Sequence, residues 1–306
     1  PTQIQEALKI INTNDPRAAR NQQNLKKFLV PVADCEINLT NILDDLQPDP
    51  FPVEQGTRTP RCTGNAIDIA LGLVECLIGV RGARIITMLG GNCTFGPGKV
   101  VDEKLSITIR SHHDILKQNE KTTFMKDAVA FYDSLANRAL KKGIVMDLFV
   151  ASVDQSGILE MKNLFERTGG YYIMTDSFQN PVYKESFQKF FSVDDEGHLK
   201  MGFLGKLNIF TSKEFKVSGC IGDVSSNNVK SSYCGDNVIG VGNTSEWNMG
   251  GVDKNTSLAF YFEITNSKAH GSNAHPPVFL QFQTKYQHAD GSSRIRVSTI
   301  QRCLAA

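Results

Sequence analysis

The feature that most constrains the fold of this chain is a change in hydrophobic period near Gly197. Upstream, apolar residues recur at helical spacing between short apolar runs; downstream, they alternate every second residue. Helices that alternate with short buried strands favour parallel strands joined by crossover helices. A period of two, broken by Gly, Asn and Ser clusters, is typical of an antiparallel sandwich or barrel. We therefore predict an α/β part over residues 1–192, followed by an all-β part over 193–306.

The α/β part is predicted to contain three strands between helices. The strands are expected at 84–89, 144–151 and 171–175, and the helices at 2–11, 38–46, 65–79, 124–142, 157–167 and 183–191. Residues 47–60 hold four of the eleven prolines and are predicted to be an extended connector. Three parallel strands are few for an open sheet, so further strands are expected upstream of Pro1.

Composition excludes several classes of protein. The 306 residues carry 33 Lys and Arg against 32 Asp and Glu, which excludes a globally basic nucleic-acid binder. The balance is uneven, because residues 199–306 hold 11 Lys and Arg against 7 Asp and Glu and leave room for a basic surface. The seven cysteines include no C-x-x-C pair, so reduced thiols without a zinc site are predicted. No apolar run is long enough to span a membrane.

Catalytic motifs are missing from the sequence. The glycine-rich run at 90–100 follows a predicted strand, but Cys93 and Val100 stand where a Walker phosphate loop needs Gly and Ser or Thr. We find no G-x-S-x-G and no H-E-x-x-H, and we predict no catalytic site, metal or cofactor in this chain. Asp147 lies inside an apolar strand, where its carboxylate is expected to need a partner.

Two groups of polar residues remain as interface candidates. The first consists of Arg110, His112, His113 and Asp114. Its adjacent histidines point in different directions and lack the spacing of metal ligands, so a structural or interface role is favoured. The second, on or beside the last hairpin, consists of Gln287, His288, Arg294 and Arg296. If Ile295, Val297 and Thr299 face the core, both arginines face outward, towards phosphates or an acidic partner.

Several stretches resemble a known family in order along nearly the whole chain. They read DLQPDPFPVEQGTRTPRCTGNAIDIALGL (45–73), GARI (82–85), IRSHHDI (109–115), DQSGILEMK (154–162), TGGYYIMTDSF (168–178), KMGF (200–203) and YQHADGSSRIRVSTI (286–300). These stretches resemble the COPII inner-coat subunits that activate the Sar-type small GTPase. They are specific enough to distinguish those subunits from the paralogous cargo adaptors of the same coat.

The resemblance implies an architecture and a set of partners. It implies a von Willebrand A-like trunk, here lacking its first strands, followed by an antiparallel β-sandwich. Its partners would be the Sar-type GTPase, the cargo-adaptor paralogue, the outer-coat cage and the anionic surface of the endoplasmic reticulum, from the cytosolic side, and no nucleic acid. The structural zinc and the activating arginine of the family would belong to a zinc finger upstream and a region downstream of these residues.

Two other classes of function stay open at this point. One is a metal-dependent A-domain module for an extracellular ligand, which would need a D-x-S-x-S loop that this sequence does not contain. The other is a nucleotide-using α/β enzyme, which the imperfect glycine run does not favour.

Overall fold

The computed structural model describes residues 28–78, 82–265 and 277–303. Their contacts divide them into two units. The described part of the first unit comprises 28–78 and 92–131, and that of the second comprises 82–91, 132–265 and 277–303. The helix predicted at 2–11 lies outside the described residues.

The first unit is built from helices and irregular loops. Its elements are α1 (Val32–Asp44), α2 (Thr63–Leu77), α3 (His112–Lys117), a 3₁₀ turn (Glu120–Thr122) and the first residues of α4 (Met125–Lys142). α1 begins earlier than predicted, at Val32 instead of Asn38. α2 buries Ile67 and Leu71, as its apolar spacing predicts.

The proline-rich connector at 47–60 forms no helix or strand, as predicted. One side chain fastens it to the loop that precedes α3. The Arg58 Nη1 donates to the carbonyl oxygens of Asp102 at 3.1 Å, Lys104 at 2.7 Å and Ile107 at 2.9 Å. A single guanidinium thus satisfies three carbonyls in a stretch whose strand-like pairing is limited to the isolated bridge between Thr57 and Lys104.

The second unit begins with a parallel layer. Its strands are β1 (Ala83–Leu89), β2 (Ile144–Ala151) and β3 (Tyr172–Thr175), in the order β1-β2-β3 and all parallel, as predicted. The helices α5 (Ile158–Glu166) and α6 (Pro181–Phe190) follow β2 and β3. β2 is central and buried, and its Phe149 ring meets the edges of aromatic rings of α6, with centroids 5.4 to 6.0 Å apart.

The remainder of the second unit is an antiparallel sandwich. The strands are β4 (Gly202–Thr211), β5 (Phe215–Ile221), β6 (Ser225–Ser226), β7 (Glu246–Val252), β8 (Ala259–Ile264), β9 (Pro277–His288) and β10 (Ser293–Cys303). One sheet has the order β10-β9-β4-β7-β6, and the other pairs β5 with β8. Their core includes Ile209, Val217 and Trp247, each at most 1% exposed. Trp247 is fully buried in this core, and its Nε1 donates to the Val241 carbonyl at 2.8 Å.

The prediction that Ile295, Val297 and Thr299 face the core is wrong. Arg296 lies opposite Thr284, which lies opposite Leu207 on the far side of β9. Directly opposed residues share a face of the sheet, so Arg296 shares the inner face with buried Leu207. Ile295 and Val297 lie on the outer face and are 66% and 52% exposed.

The physical reason is the position of β10 at the edge of its sheet. None of its residues is buried, because the alternation of apolar residues continues past the part of the sheet that the other layer covers. Arg294 and Arg296 therefore stand on the inner face at its open edge, and not on the outer face as predicted.

Candidate functional site

The first candidate group is organised around a helix N-terminus. Ser111 caps α3, and its side chain accepts from the Asp114 backbone N–H at 3.2 Å. The Asp114 carboxylate in turn accepts from the Ser111 N–H at 2.7 Å and from the Asn119 side chain at 2.5 Å. These hydrogen bonds, led by those from Ser111, hold the pKa of Asp114 well below its usual range. Asp114 is thus committed to a capping box.

The other three members of this group differ in exposure. Arg110 is buried, 5% exposed, and has partners in the fold. His112 and His113 are exposed in the first turn of α3. As surface residues, only the two histidines are free to meet a partner protein, so the interface role of this group stays a prediction.

The second candidate group surrounds the turn between β9 and β10. Asp290 pairs with the Arg294 guanidinium at 2.8 Å and lies 3.3 Å from the His288 Nδ1. Hydrogen bonds from Ser292, with a smaller contribution from Arg294, hold the pKa of Asp290 well below its usual range. The Arg294 guanidinium is therefore paired with a carboxylate of its own hairpin. Arg296 has no side-chain partner among the residues described.

Gln287 joins the sandwich to the parallel layer. Its side-chain oxygen accepts from the backbone N–H of Gly82, just before β1, at 3.1 Å. A Cβ on Gly82 would lie 2.1 Å from the Cβ of Phe203 in β4, so this approach requires glycine. Gln287 thus stabilises the contact between β9 and the segment before β1, and its role at an interface stays a prediction.

The parallel layer contains a buried ion pair that was not predicted from the sequence. The Arg84 guanidinium donates to both carboxylate oxygens of Asp147, at 2.8 and 2.5 Å. Asp147 is fully buried and also accepts from the Tyr171 backbone N–H at 2.9 Å. The expectation that Asp147 needs a partner is confirmed. Arg84 was missed because it stands near the start of a strand, where an arginine is unremarkable.

Arg84 is also held by aromatic rings. Its guanidinium carbon lies 4.8 Å from the centroid of Phe190 and 5.6 Å from that of Tyr171. The Tyr171 hydroxyl donates a hydrogen bond to Asp253 of the sandwich. Burial, followed by the adjacent Asp253 carboxylate, raises the pKa of Tyr171, so the hydroxyl stays protonated and donates.

The same place forms the seam between the parallel layer and the sandwich. We use "seam" for residues 168–171 packed against 249–253. The Gly251 N–H donates to the Thr168 carbonyl at 2.9 Å. A Cβ on Gly250 would lie 2.0 Å from that carbonyl oxygen, and Gly250 has a φ of +62°. Glycine is therefore required here both for its backbone conformation and for its size.

The described part of the chain holds neither a candidate metal site nor a candidate membrane span. Within residues 28–78, 82–265 and 277–303, no group of three His, Cys, Asp or Glu side chains is placed to hold a metal ion. Over the same ranges, no helix has the length and apolarity needed to cross a bilayer. The glycine run after β1 leads into an irregular loop and not into a helix, so it lacks the N-terminal amides of a phosphate loop.

A parallel α/β layer with helices, continued by an antiparallel sandwich and joined to it through a glycine seam, defines a two-part scaffold. Comparison with known proteins agrees in both parts. The model of the Sec23/Sec24 trunk domain matches residues 2–193, and that of the Sec23/Sec24 beta-sandwich domain matches residues 202–305. The chain therefore belongs to the Sec23/Sec24 family.

A solved structure has the same fold. The crystal structure of the human COPII-coat protein Sec24c matches with a TM-score of 0.58 at 16% sequence identity. The match covers 89% of this chain and 33% of the Sec24c chain. At that identity the likeness concerns the fold alone, and this chain spans about a third of the length of the protein it matches.

Proposed function

We propose that this chain is part of a structural subunit of the COPII coat in transport from the endoplasmic reticulum to the Golgi. The observation that carries the proposal is the match of both Sec23/Sec24 domains, in order, over nearly the whole chain. The proposed partners are the Sar-type GTPase, the cargo-adaptor paralogue and the outer-coat cage. The protein would act on the cytosolic face of the endoplasmic reticulum and on vesicles, as a coat protein and regulator and not as a catalyst.

The full-length protein is proposed to stimulate GTP hydrolysis by the Sar-type GTPase, with an activating arginine outside these 306 residues. An arginine finger acts by stabilising charge on the phosphoryl group in transfer. Arginines such as Arg84 and Arg58 are engaged in the fold, which supports the view that neither supplies the finger. The motifs shared with the activating subunits of the coat favour this reading over a cargo adaptor.

Binding and activation test the proposal separately. The chain should be retained by the Sar-type GTPase loaded with a non-hydrolysable GTP analogue, and less by the GDP form. Hydrolysis by the GTP-loaded protein should stay near its intrinsic rate in the presence of the chain. No retention by either nucleotide form would overturn the partner assignment. An acceleration of about a thousandfold, the scale of an arginine finger, would show that the activating arginine lies within this chain.

Contact with the anionic membrane is the third part of the proposal. Its support is the excess of Lys and Arg over Asp and Glu in residues 199–306. Of the two hairpin arginines, Arg296 is the better candidate, because Arg294 already pairs with Asp290. Basic groups near an anionic leaflet each add to binding within about a Debye length.

A further inference from the structure

A cleft on the inner face of the sandwich has a volume of about 490 Å³. It lies where the segment leading into β4, the β7–β8 connection and the open edge of β9 and β10 meet. A neighbouring groove of about 550 Å³ shares Lys200, Met201, Asp253 and Lys254 with it. Clefts of this size are typical of sites for small molecules and headgroups.

The walls of the cleft carry cations whose charge the fold does not use. Lys200, Lys254 and Arg296 line it, and all three are exposed. None of their side chains has an ion pair or a hydrogen bond within the described ranges. Arg294 provides the contrast, because it lies two residues from Arg296 on the same strand and pairs with Asp290 at 2.8 Å.

The carboxylates on these walls have partners other than the lining lysines and Arg296, and Asp194 also lies 3.9 Å from the His198 Nδ1. Asp194 accepts from the backbone N–H groups of Glu196 at 3.0 Å and His198 at 2.8 Å. Asp253 accepts from the N–H groups of Asn255 and Thr256, each at 2.9 Å, besides the hydroxyl of Tyr171. Neither carboxylate forms an ion pair with a lining lysine or with Arg296. Both carboxylates keep their charge, but three cations face two carboxylates in the lining, and the excess positive charge attracts an external anion.

The floor between these cations is apolar. Met201, Leu207 and Met249 form it, each less than 10% exposed, and partly buried Leu258 and Tyr286 continue it. A free inorganic anion would make no use of such a floor. An anion with a hydrocarbon part attached would bury apolar area there while its charge meets the cations.

We propose that this cleft is a headgroup site for an anionic phospholipid that carries a phosphomonoester. Arg296 supplies a planar fork that matches two phosphate oxygens, and Lys200 and Lys254 supply point charges for the remaining negative charge. The apolar floor receives the glycerol and the first acyl carbons. The inference rests on the proposed function, since it gives the proposed membrane contact a specific lipid ligand.

Vesicle binding tests the site. The whole chain is mixed with phosphatidylcholine vesicles that contain phosphatidylinositol monophosphate, or phosphatidylserine at the same total charge. We expect tighter binding to the phosphatidylinositol monophosphate vesicles. R296Q should weaken that binding about fivefold, the effect of one basic group near an anionic surface. R294Q is the matched control, with the same change in net charge on the same strand, and should weaken it less than twofold.

Other outcomes overturn the assignment. Equal losses for R296Q and R294Q, or no preference over phosphatidylserine, would reduce the effect to overall charge. Equal affinity for soluble inositol monophosphate would identify a free phosphate and not a lipid as the ligand, and a phosphoserine peptide that binds more tightly than the vesicles would identify a protein partner. Retention by the GTP-bound Sar-type GTPase, measured on the same variants, separates failure of the lipid site from failure of the proposed function.

Discussion

Asp147 shows what a single buried charge requires. Its carboxylate has no exposed surface and depends on the Arg84 guanidinium, whose side chain is only 8% exposed. Removing one partner of such a pair leaves the other charged and uncompensated, which costs about 3–5 kcal/mol. We expect Asp147→Ala to lower the free energy of unfolding by about that amount, measured by urea denaturation.

Two further variants complete this measurement. Asp147→Leu combined with Arg84→Met removes both charges and should recover much of the loss, because apolar residues of similar volume replace buried pairs at little cost. Lys162→Ala, which breaks an exposed pair with Glu166 at 3.5 Å, should cost less than about 1 kcal/mol. If Asp147→Ala costs no more than Lys162→Ala, the buried pair is not a determinant of stability.

The sequence shows which buried polar residue requires a partner, but it does not show which residue that partner is. A carboxylate within an apolar strand must be paired, so a partner for Asp147 was predictable. Its identity was not, because the chain brings Arg84 to it across a strand pairing of long sequence separation. The cleft cations Lys200, Lys254 and Arg296 were missed as a group for the same reason: only the folded sandwich brings them to one place.

The short helix α3 depends on its capping box. Hydrogen bonds hold the pKa of Asp114 in the folded protein below that of an unfolded Asp, near 3.9. Its contribution to stability is therefore complete above about pH 4 and is lost as the pH falls below that value. We expect Asp114→Asn to lower the thermal midpoint at neutral pH, and the difference from wild type to narrow at about pH 3.

The control for this element is Asp195→Asn, because Asp195 is exposed and forms no side-chain hydrogen bond within the described ranges. Its midpoint should follow that of wild type at both pH values. A difference between Asp114→Asn and wild type that stays constant with pH would mean that the capping carboxylate does not titrate with unfolding.

The spacing of apolar residues predicted the type and the order of most helices and strands. It failed for β10, where burial depends on whether the other sheet covers the strand. The parallel strands and the helices after them were predictable because both of their periods are plain in the sequence. For β10, alternation identified two faces correctly, but Ile295 and Val297 were assigned to the wrong one. No pattern within one strand tells whether the opposite layer extends far enough to cover it.

For the whole molecule, the sequence predicts two layers of different class but not the way they join. The seam depends on backbone atoms that approach each other: the Thr168 carbonyl lies where a side chain at Gly250 would begin. In the sequence, the sole sign of such a close backbone approach is a glycine. A glycine in a strand is equally consistent with a bulge or a turn. The seam could therefore not be predicted from the sequence, because only the folded structure shows that residues 168–171 lie beside 249–253.

Gly250→Ala tests whether the seam couples the two layers. The added Cβ would lie 2.0 Å from the Thr168 carbonyl oxygen, so one layer must move. Gly197→Ala is the control: Gly197 also has a positive φ, +83°, but has nothing within 4 Å of an added Cβ. Strain from φ alone costs about 1–2 kcal/mol in both variants, and the clash adds to it only in Gly250→Ala.

Two probes separate the layers in that experiment. Trp247 is the only tryptophan and lies in the sandwich core, so its fluorescence follows the sandwich, whereas far-UV circular dichroism follows the helices. We expect Gly250→Ala to lower the unfolding midpoints of both signals more than Gly197→Ala does, because the parallel layer loses the support of the sandwich. A shift confined to the fluorescence signal would show that the sandwich is weakened locally and that the seam transmits no stability to the helices.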